Sequence, residues 1–252
     1  MSVAGGFRIA TYNIHRGYGR GRRQDLDRVV TVLREMAADV LALQEVDSDP
    51  DPSEEDLLDH LAHLATATGF HAVTGPTLRR RGMAYGNLLL SRHPVGEVVH
   101  LDLCVTGCEP RAAIDARLRV EDTDVRVIVT HLGLRPRERH EQIARLLRLM
   151  APRGEHLLVV AGDMNEWLPF SPSLRPLRRV LGPGTLHATF PARLPLLSLD
   201  KIFVSPARAM RRSWVHRTPA AALASDHLPV IADLDLALAA VRRDALPVTW
   251  TA

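Results

Sequence analysis

At least nine short runs of apolar and β-branched residues recur along the 252-residue chain, against three stretches with clear helical spacing. The strand-like runs are "FRIATYNI", "DVLALQEV", "GNLLLSR", "GEVVHLDLCV", "AAIDARLRV", "DVRVIVTHL", "EHLLVVAG", "LDKIFV" and "LPVIADLDL". Helical periodicity appears in "DLDRVVTVLREMAA", "EDLLDHLAHLATAT" and "RERHEQIARLLRLM", each with an apolar and a charged face. A simple alternating parallel fold needs about one helix per strand, and this chain has too few. Some strand-like runs alternate, as in a sheet with one buried face, and others are continuously apolar, as in strands covered on both sides. The ratio predicts an α/β four-layer sandwich, with two mixed β-sheets packed face to face and flanked by helices. A hydrophobic fraction of 46% supplies a substantial core, and no repeat, low-complexity tract or linker divides the chain. Residues 1–252 are therefore expected to form a single domain. The acidic stretch "DSDPDPSEED" (47–56) reads as a loop whose Ser53 caps the second helix.

The strand-like runs share a second property. "RIATYNI" reaches Asn13, "VLALQEV" reaches Glu45, and "VRVIVTHL" reaches His131. "LLVVAGDMN" reaches Asp163 and Asn165, "LLSLD" presents Asp200 as a strand begins, and "SDHLPVIADL" places Asp226 and His227 before another. Any one of these is an ordinary turn residue or a solvated side chain. Six strand termini carrying such groups point instead to a cluster held on rigid elements.

The chemistry of the set is restrictive. Glu45, Asp163, Asp200, Asp226, Asn13 and Asn165 are hard oxygen donors, suited to Mg²⁺ or Mn²⁺ rather than to a thiolate-seeking metal. No G-x-S-x-G elbow and no P-loop lysine motif occurs. Carboxylates, a divalent cation and histidine together suit attack of water on a phosphoester.

In sequence order, "TYNIH", "LQEV", "YGNLLLS", "THLG", "GDMN", "LDKIFVS" and "SDHLPV" span residues 11 to 230. That ordered series resembles the endonuclease/exonuclease/phosphatase superfamily, with its deoxyribonuclease I-like fold, and most of all its short bacterial members. The resemblance implies that Glu45 is the principal metal ligand, with Asn13 beside it and Asp226 nearby. It further implies that Asp163 orients or deprotonates the attacking water and that Asn165 binds the phosphate. His227 would contact the scissile phosphate, held by Asp200, and His131 looks like the second histidine of the deoxyribonuclease and sphingomyelinase branches. Tyr85 and Asn87 in "YGNLLLS" and Arg111 in "EPRAA" match phosphate-contacting positions. "THLGL" stands where abasic-site endonucleases usually carry a tyrosine and a "YVPNG"-like segment, which counts against DNA repair. "GDMNEW" matches the "GDLNYR"-type segment of inositol polyphosphate phosphatases only in part.

The expected activity is thus hydrolysis of a small or lipid-derived phosphodiester, dependent on Mg²⁺ or Mn²⁺. A non-specific nuclease and a non-catalytic phosphate- or lipid-binding module stay open as alternatives. Nucleic acid is not the favoured partner: a formal charge of +3 is small, and 4% aromatic residues leave little for base stacking. Arg16, Arg20, Arg22 and Arg23 follow the Asn13 strand, and "RRRG" (79–82) precedes the Tyr85 strand. They read either as a solvated, arginine-biased surface or as a cationic rim for an anionic substrate. Lys201 is the only lysine among 32 basic residues. Cys104 and Cys108 are read as structural thiols. No leader-like segment and no apolar run long enough to span a membrane is evident, so the expectation is a cytoplasmic protein. Oligomeric state is not legible.

Overall fold

The computed structural model describes residues 6–20, 23–48, 59–80, 83–151 and 154–240. The first sheet holds β1 (Gly6–Asn13), β2 (Val40–Ser48), β3 (His71–Arg80), β4 (Met83–Ser91), β10 (Met210–Val215) and β11 (Val230–Asp235), in the order β10-β11-β1-β2-β4-β3. The second holds β5 (Val95–Asp102), β6 (Ala112–Val120), β7 (Thr123–His131), β8 (Leu157–Asp163) and β9 (Asp200–Ser205), in sequence order. Each sheet contains one parallel pair, β1 with β2 and β7 with β8, and is otherwise antiparallel. A helix bridges each parallel pair: α1 (Leu26–Met36) in the first sheet and α3 (Pro136–Leu149) in the second. Parallel neighbours require such a crossover.

The two-residue strand period sorts the core into layers. Phe7 and Ile9 of β1, Val40 and Ala42 of β2, Val125, Val127 and Val129 of β7, and Val159 and Ala161 of β8 fill the space between the sheets. The intervening residues face outward. Ala10, Tyr12, Leu41 and Leu43 pack under α1, while Ile128, Leu158 and Val160 pack under α3 and α4 (Arg175–Leu181). The result is the expected four-layer α/β sandwich.

Two differences from the sequence expectation concern strands. β3 and β10 are additional, and both are edge strands of the first sheet. β3 carries Gly75 and Pro76 beside a bulge, and β10 carries Arg211 and Arg212 with no buried residue. Edge strands tolerate such residues because one side makes no ladder. The helices differ too. α2 is described over His60–Thr68 with Asp59 as its N-cap; the proposed Ser53 cap lies outside the described residues. The short helices α4, α5 (Ala221–Ala224) and α6 (Leu236–Ala240) leave too few turns for a periodic signal. Both cysteines are free thiols, and Cys104 is exposed. No described helix is long and apolar enough to cross a membrane.

Candidate active site

The inner faces of the two sheets are apolar along most of their length and become polar at one end. On β1 the inward sequence Phe7, Ile9, Thr11 is continued by Asn13. On β7 Val125, Val127 and Val129 are continued by His131, and on β8 Val159 and Ala161 by Asp163. Asp200 begins the inward series of β9, followed by Ile202 and Val204. Strand register places His131 opposite Asp163, and Asp163 opposite Asp200, forming one row across three strands. Because the chain runs the same way in β7 and β8, both C-terminal ends meet at this edge, the usual location of ligands on α/β sheets. Gly162 permits the close strand approach, since a Cβ there would lie 1.8 Å from the Thr130 carbonyl oxygen.

Glu45 reaches the same edge by a different device. Simple alternation from Leu41 and Leu43 would turn it outward under α1. A β-bulge between Leu43 and Val46, with Glu45 at φ 59°, lets Val46 take that buried outer place. Left-handed backbone is costly for glutamate and collects at functional sites. His15, Arg16 and Asn165 also have positive φ, so four of the six such non-glycine residues among those described lie around this edge.

Asp163 is the hub. Its Oδ2 accepts from Asn13 Nδ2 at 3.1 Å and lies 3.5 Å from His131 Nε2 and 3.8 Å from His227 Nε2; its Oδ1 accepts from the Asn165 backbone N–H at 2.8 Å. Asn13 Nδ2 also donates to Glu45 Oε1 at 2.9 Å, while its Oδ1 accepts from the His15 N–H. Asn13 therefore turns its amide NH₂, not its oxygen, toward the two carboxylates. Asn165 Nδ2 donates to the Leu132 carbonyl, so its side chain braces the turn. Asp226 lies 3.5 Å from His15 and beside Ser225, whose hydroxyl donates to the Asn13 carbonyl.

The two site histidines are driven in opposite directions. Burial disfavours the charged form of His227, yet the Asp200 charge and hydrogen bond, with Asp163 and Asp226, push its pKa up to about 10. Its Nδ1 is 2.8 Å from Asp200 Oδ2, and Phe190 packs on the ring at 4.9 Å between centroids. Burial, helped by Arg111 and His227 and opposed by Asp163, pushes His131 down to about 3. Tyr85 is raised, by burial first and then by Glu45. Asn87 donates to the Ala112 carbonyl and Arg111 to Glu109; Asn87 Oδ1, Arg111 Nε and Asp200 Oδ1 are buried with no hydrogen-bond partner. Native proteins pair nearly all such atoms, and these three are among seven unpartnered buried side-chain atoms of the described residues.

Sequence reading supplied the side chains at the strand ends but not their supports. Phe190 carried no signal. Ser225 stood within "SDH" and Glu166 within "GDMNEW", without an evident role. Of the arginine loop, Arg16 is committed to Asp47 at 2.6 Å, Arg20 and Arg23 are exposed, and Arg22 lies outside the described residues, as do Arg81 and Gly82 of "RRRG".

Three comparisons bear on this geometry. Protein YbhP of Escherichia coli (strain K12) is 32% identical over 260 residues, covering 91% of this chain and 96% of YbhP. The crystal structure of an endonuclease/exonuclease/phosphatase from Beutenbergia cavernae DSM 12333 superposes with a TM-score of 0.71 at 26% identity, over 91% of this chain and 71% of that one. ANGEL2, described as a 2′,3′-cyclic phosphatase, shares the fold at a TM-score of 0.65 and 15% identity, over 90% of this chain and 94% of its own. The model of the Endonuclease/Exonuclease/phosphatase family matches residues 10–227, from the strand that ends in Asn13 to His227, and the chain belongs to that family.

Proposed function

We propose that the chain is a divalent-metal-dependent phosphodiesterase acting on a small or lipid-derived phosphodiester. Phosphoester hydrolysis is the chemistry of the family. The observation that carries the finer reading is the Asp163 hub, one carboxylate within 4 Å of two histidines whose surroundings push their pKa values in opposite directions.

Two groups of residues compete for the cation. Asp163, Asp200 and His227 offer ligand atoms within 4.8 Å of one another. Asp200, however, is already hydrogen-bonded to His227 Nδ1, and a cation there would break the pair that keeps His227 charged. Glu45 is the better fit, with Asp226 as the second carboxylate of the set, while Asn13 orients Glu45 through its amide NH₂ rather than offering an oxygen. Glu45 is only partly buried, and a hard oxygen set with few protein ligands suits Mg²⁺ or Mn²⁺, which keep several waters. A cation held there would supply positive charge that offsets the charge of the phosphate.

The chain's own groups do the rest. Asp163, its Oδ1 fixed by the Asn165 amide, directs Oδ2 to orient the attacking water and accept its proton. Protonated His227, aligned by Asp200, donates to a phosphate oxygen or to the leaving oxygen. Neutral His131 adds a hydrogen bond without further charge, and the free Arg111 Nε–H offers another. Turnover of bis(p-nitrophenyl) phosphate with Mg²⁺ or Mn²⁺, abolished by EDTA, tests the reading beside plasmid DNA. Diester hydrolysis without nicking supports it. Efficient nicking assigns a nuclease, and no turnover of either substrate leaves a binding module.

A further inference from the structure

Six of the nine large apolar side chains exposed among the described residues stand on three neighbouring connections. They are Leu134 after β7, Trp167, Leu168 and Phe170 after β8, and Leu194 and Leu196 before β9. These connections leave His131 and Asp163 and enter Asp200, so the apolar groups stand on the loops that join the site's strand ends. Phe170 is 89% exposed and Leu196 70%. Single exposed apolar residues are ordinary, but six on adjoining loops mark an interaction surface.

The loops are held rather than loose. The buried Arg139 guanidinium donates to the Gly133 and Leu134 carbonyls of the first connection and to Glu166 of the second, the last at 2.9 Å. Glu166 also accepts from the Ser171 and Ser173 hydroxyls and the Leu168 N–H. Arg178 donates to the Pro169 and Ser171 carbonyls, and the Met164 N–H to the Leu199 carbonyl ties the second connection to the third. A buried ion pair thus fixes the backbone that holds Trp167, Leu168 and Phe170 out in water.

Charge identifies the partner. Residues 132–137, 164–175 and 190–199 carry exposed Arg135, Arg137, Arg175 and Arg193, and their only acid is Glu166, buried and paired. Protruding apolar tips interleaved with arginine complement a surface that is anionic outside and apolar beneath. Phe170 touches little of its own protein, as suits insertion between headgroups. We propose that this rim docks the molecule on an anionic bilayer surface and presents the site to the phosphodiester of a lipid headgroup. Docking stands on the rim alone; the nature of the substrate rests on the phosphodiesterase reading.

Co-sedimentation with vesicles of phosphatidylcholine, alone or mixed with phosphatidylglycerol, tests docking without turnover. Wild-type protein should bind the mixed vesicles more tightly, with a blue shift of tryptophan emission that is lost when Trp167 is replaced. Trp167→Ser/Phe170→Ser should weaken binding by about 10- to 100-fold, the loss expected from two apolar anchors. Arg137→Glu/Arg193→Glu should remove the preference for anionic lipid. Both variants should keep wild-type turnover of bis(p-nitrophenyl) phosphate, since the changed residues lie outside the reacting groups. Vesicle binding without turnover by wild-type would retain docking and sink the phosphodiesterase reading. Absence of vesicle binding, or equal binding by the Trp167→Ser/Phe170→Ser variant, would overturn the docking proposal. So would concentration-dependent self-association lost in that variant without vesicle binding, which would give the rim to a second copy.

Discussion

Strand β7 carries a buried ionic cluster on each face, and the two are built to opposite standards. On the outer face, Arg126 is fully buried and all five of its N–H groups have acceptors: both Asp115 oxygens, Glu155, and the Leu149 and Ala151 carbonyls at the end of α3. Five residues on, at the inner face, His131 faces Asp163 and His227 near the unpartnered Arg111 Nε and Asp200 Oδ1. Every polar atom satisfied makes a structural joint that ties a helix end to a sheet. Polar atoms left open at a sheet edge cost stability and are kept for what binds there.

The sharpest break in that contrast comes from Asp163→Asn. It keeps the shape of the hub and removes its basic carboxylate, so kcat should fall by about 10²- to 10⁴-fold with little change in KM. Wild-type kcat in that variant would return "AGDMNEW" to a strand end and a turn. Arg126→Met should do the reverse. Loss of the guanidinium strands the buried Asp115 carboxylate and should cost about 3–5 kcal/mol in urea unfolding, with kcat per folded molecule unchanged. A large kcat loss at full stability would mean that the clusters are not independent.

A subtler effect is expected from Asp200→Asn. His227 has a folded pKa raised from 6.5 to about 10, so its stability contribution is complete below pH 6.5 and is lost as pH rises through about 10. For His131, lowered to about 3, the contribution is present above pH 6.5 and is lost as pH falls toward 3. Asp200→Asn should therefore move the alkaline fall of kcat to lower pH and flatten the alkaline loss of stability, leaving the acid side in place. An unmoved alkaline limb would detach His227 from catalysis. The smallest effect belongs to the exposed arginines. Arg20→Ala/Arg23→Ala should raise KM for a polyanionic substrate modestly, less so at high salt, because such contacts are screened over about 8 Å at physiological ionic strength. An unchanged KM would make them plain solvated surface.

Local features of the sequence determined the central strands, the three longest helices and the residue types at the strand ends. Alternation and apolarity are local properties, and a strand buried on both faces cannot conceal them. Edge strands β3 and β10 escaped because a half-paired strand can hold Gly, Pro and Arg. Only tertiary structure decided which strand ends share an edge. Asn13 meets Asp163 across 150 residues and Glu45 across 32, and no local spacing encodes either meeting. The same is true of the bulge that re-aims Glu45, the packing of Phe190 on His227, and the Arg139–Glu166 pair that holds the rim. Strand pairing is a global choice of register, settled by burial of the whole inner face, and the site lies where that buried face ends.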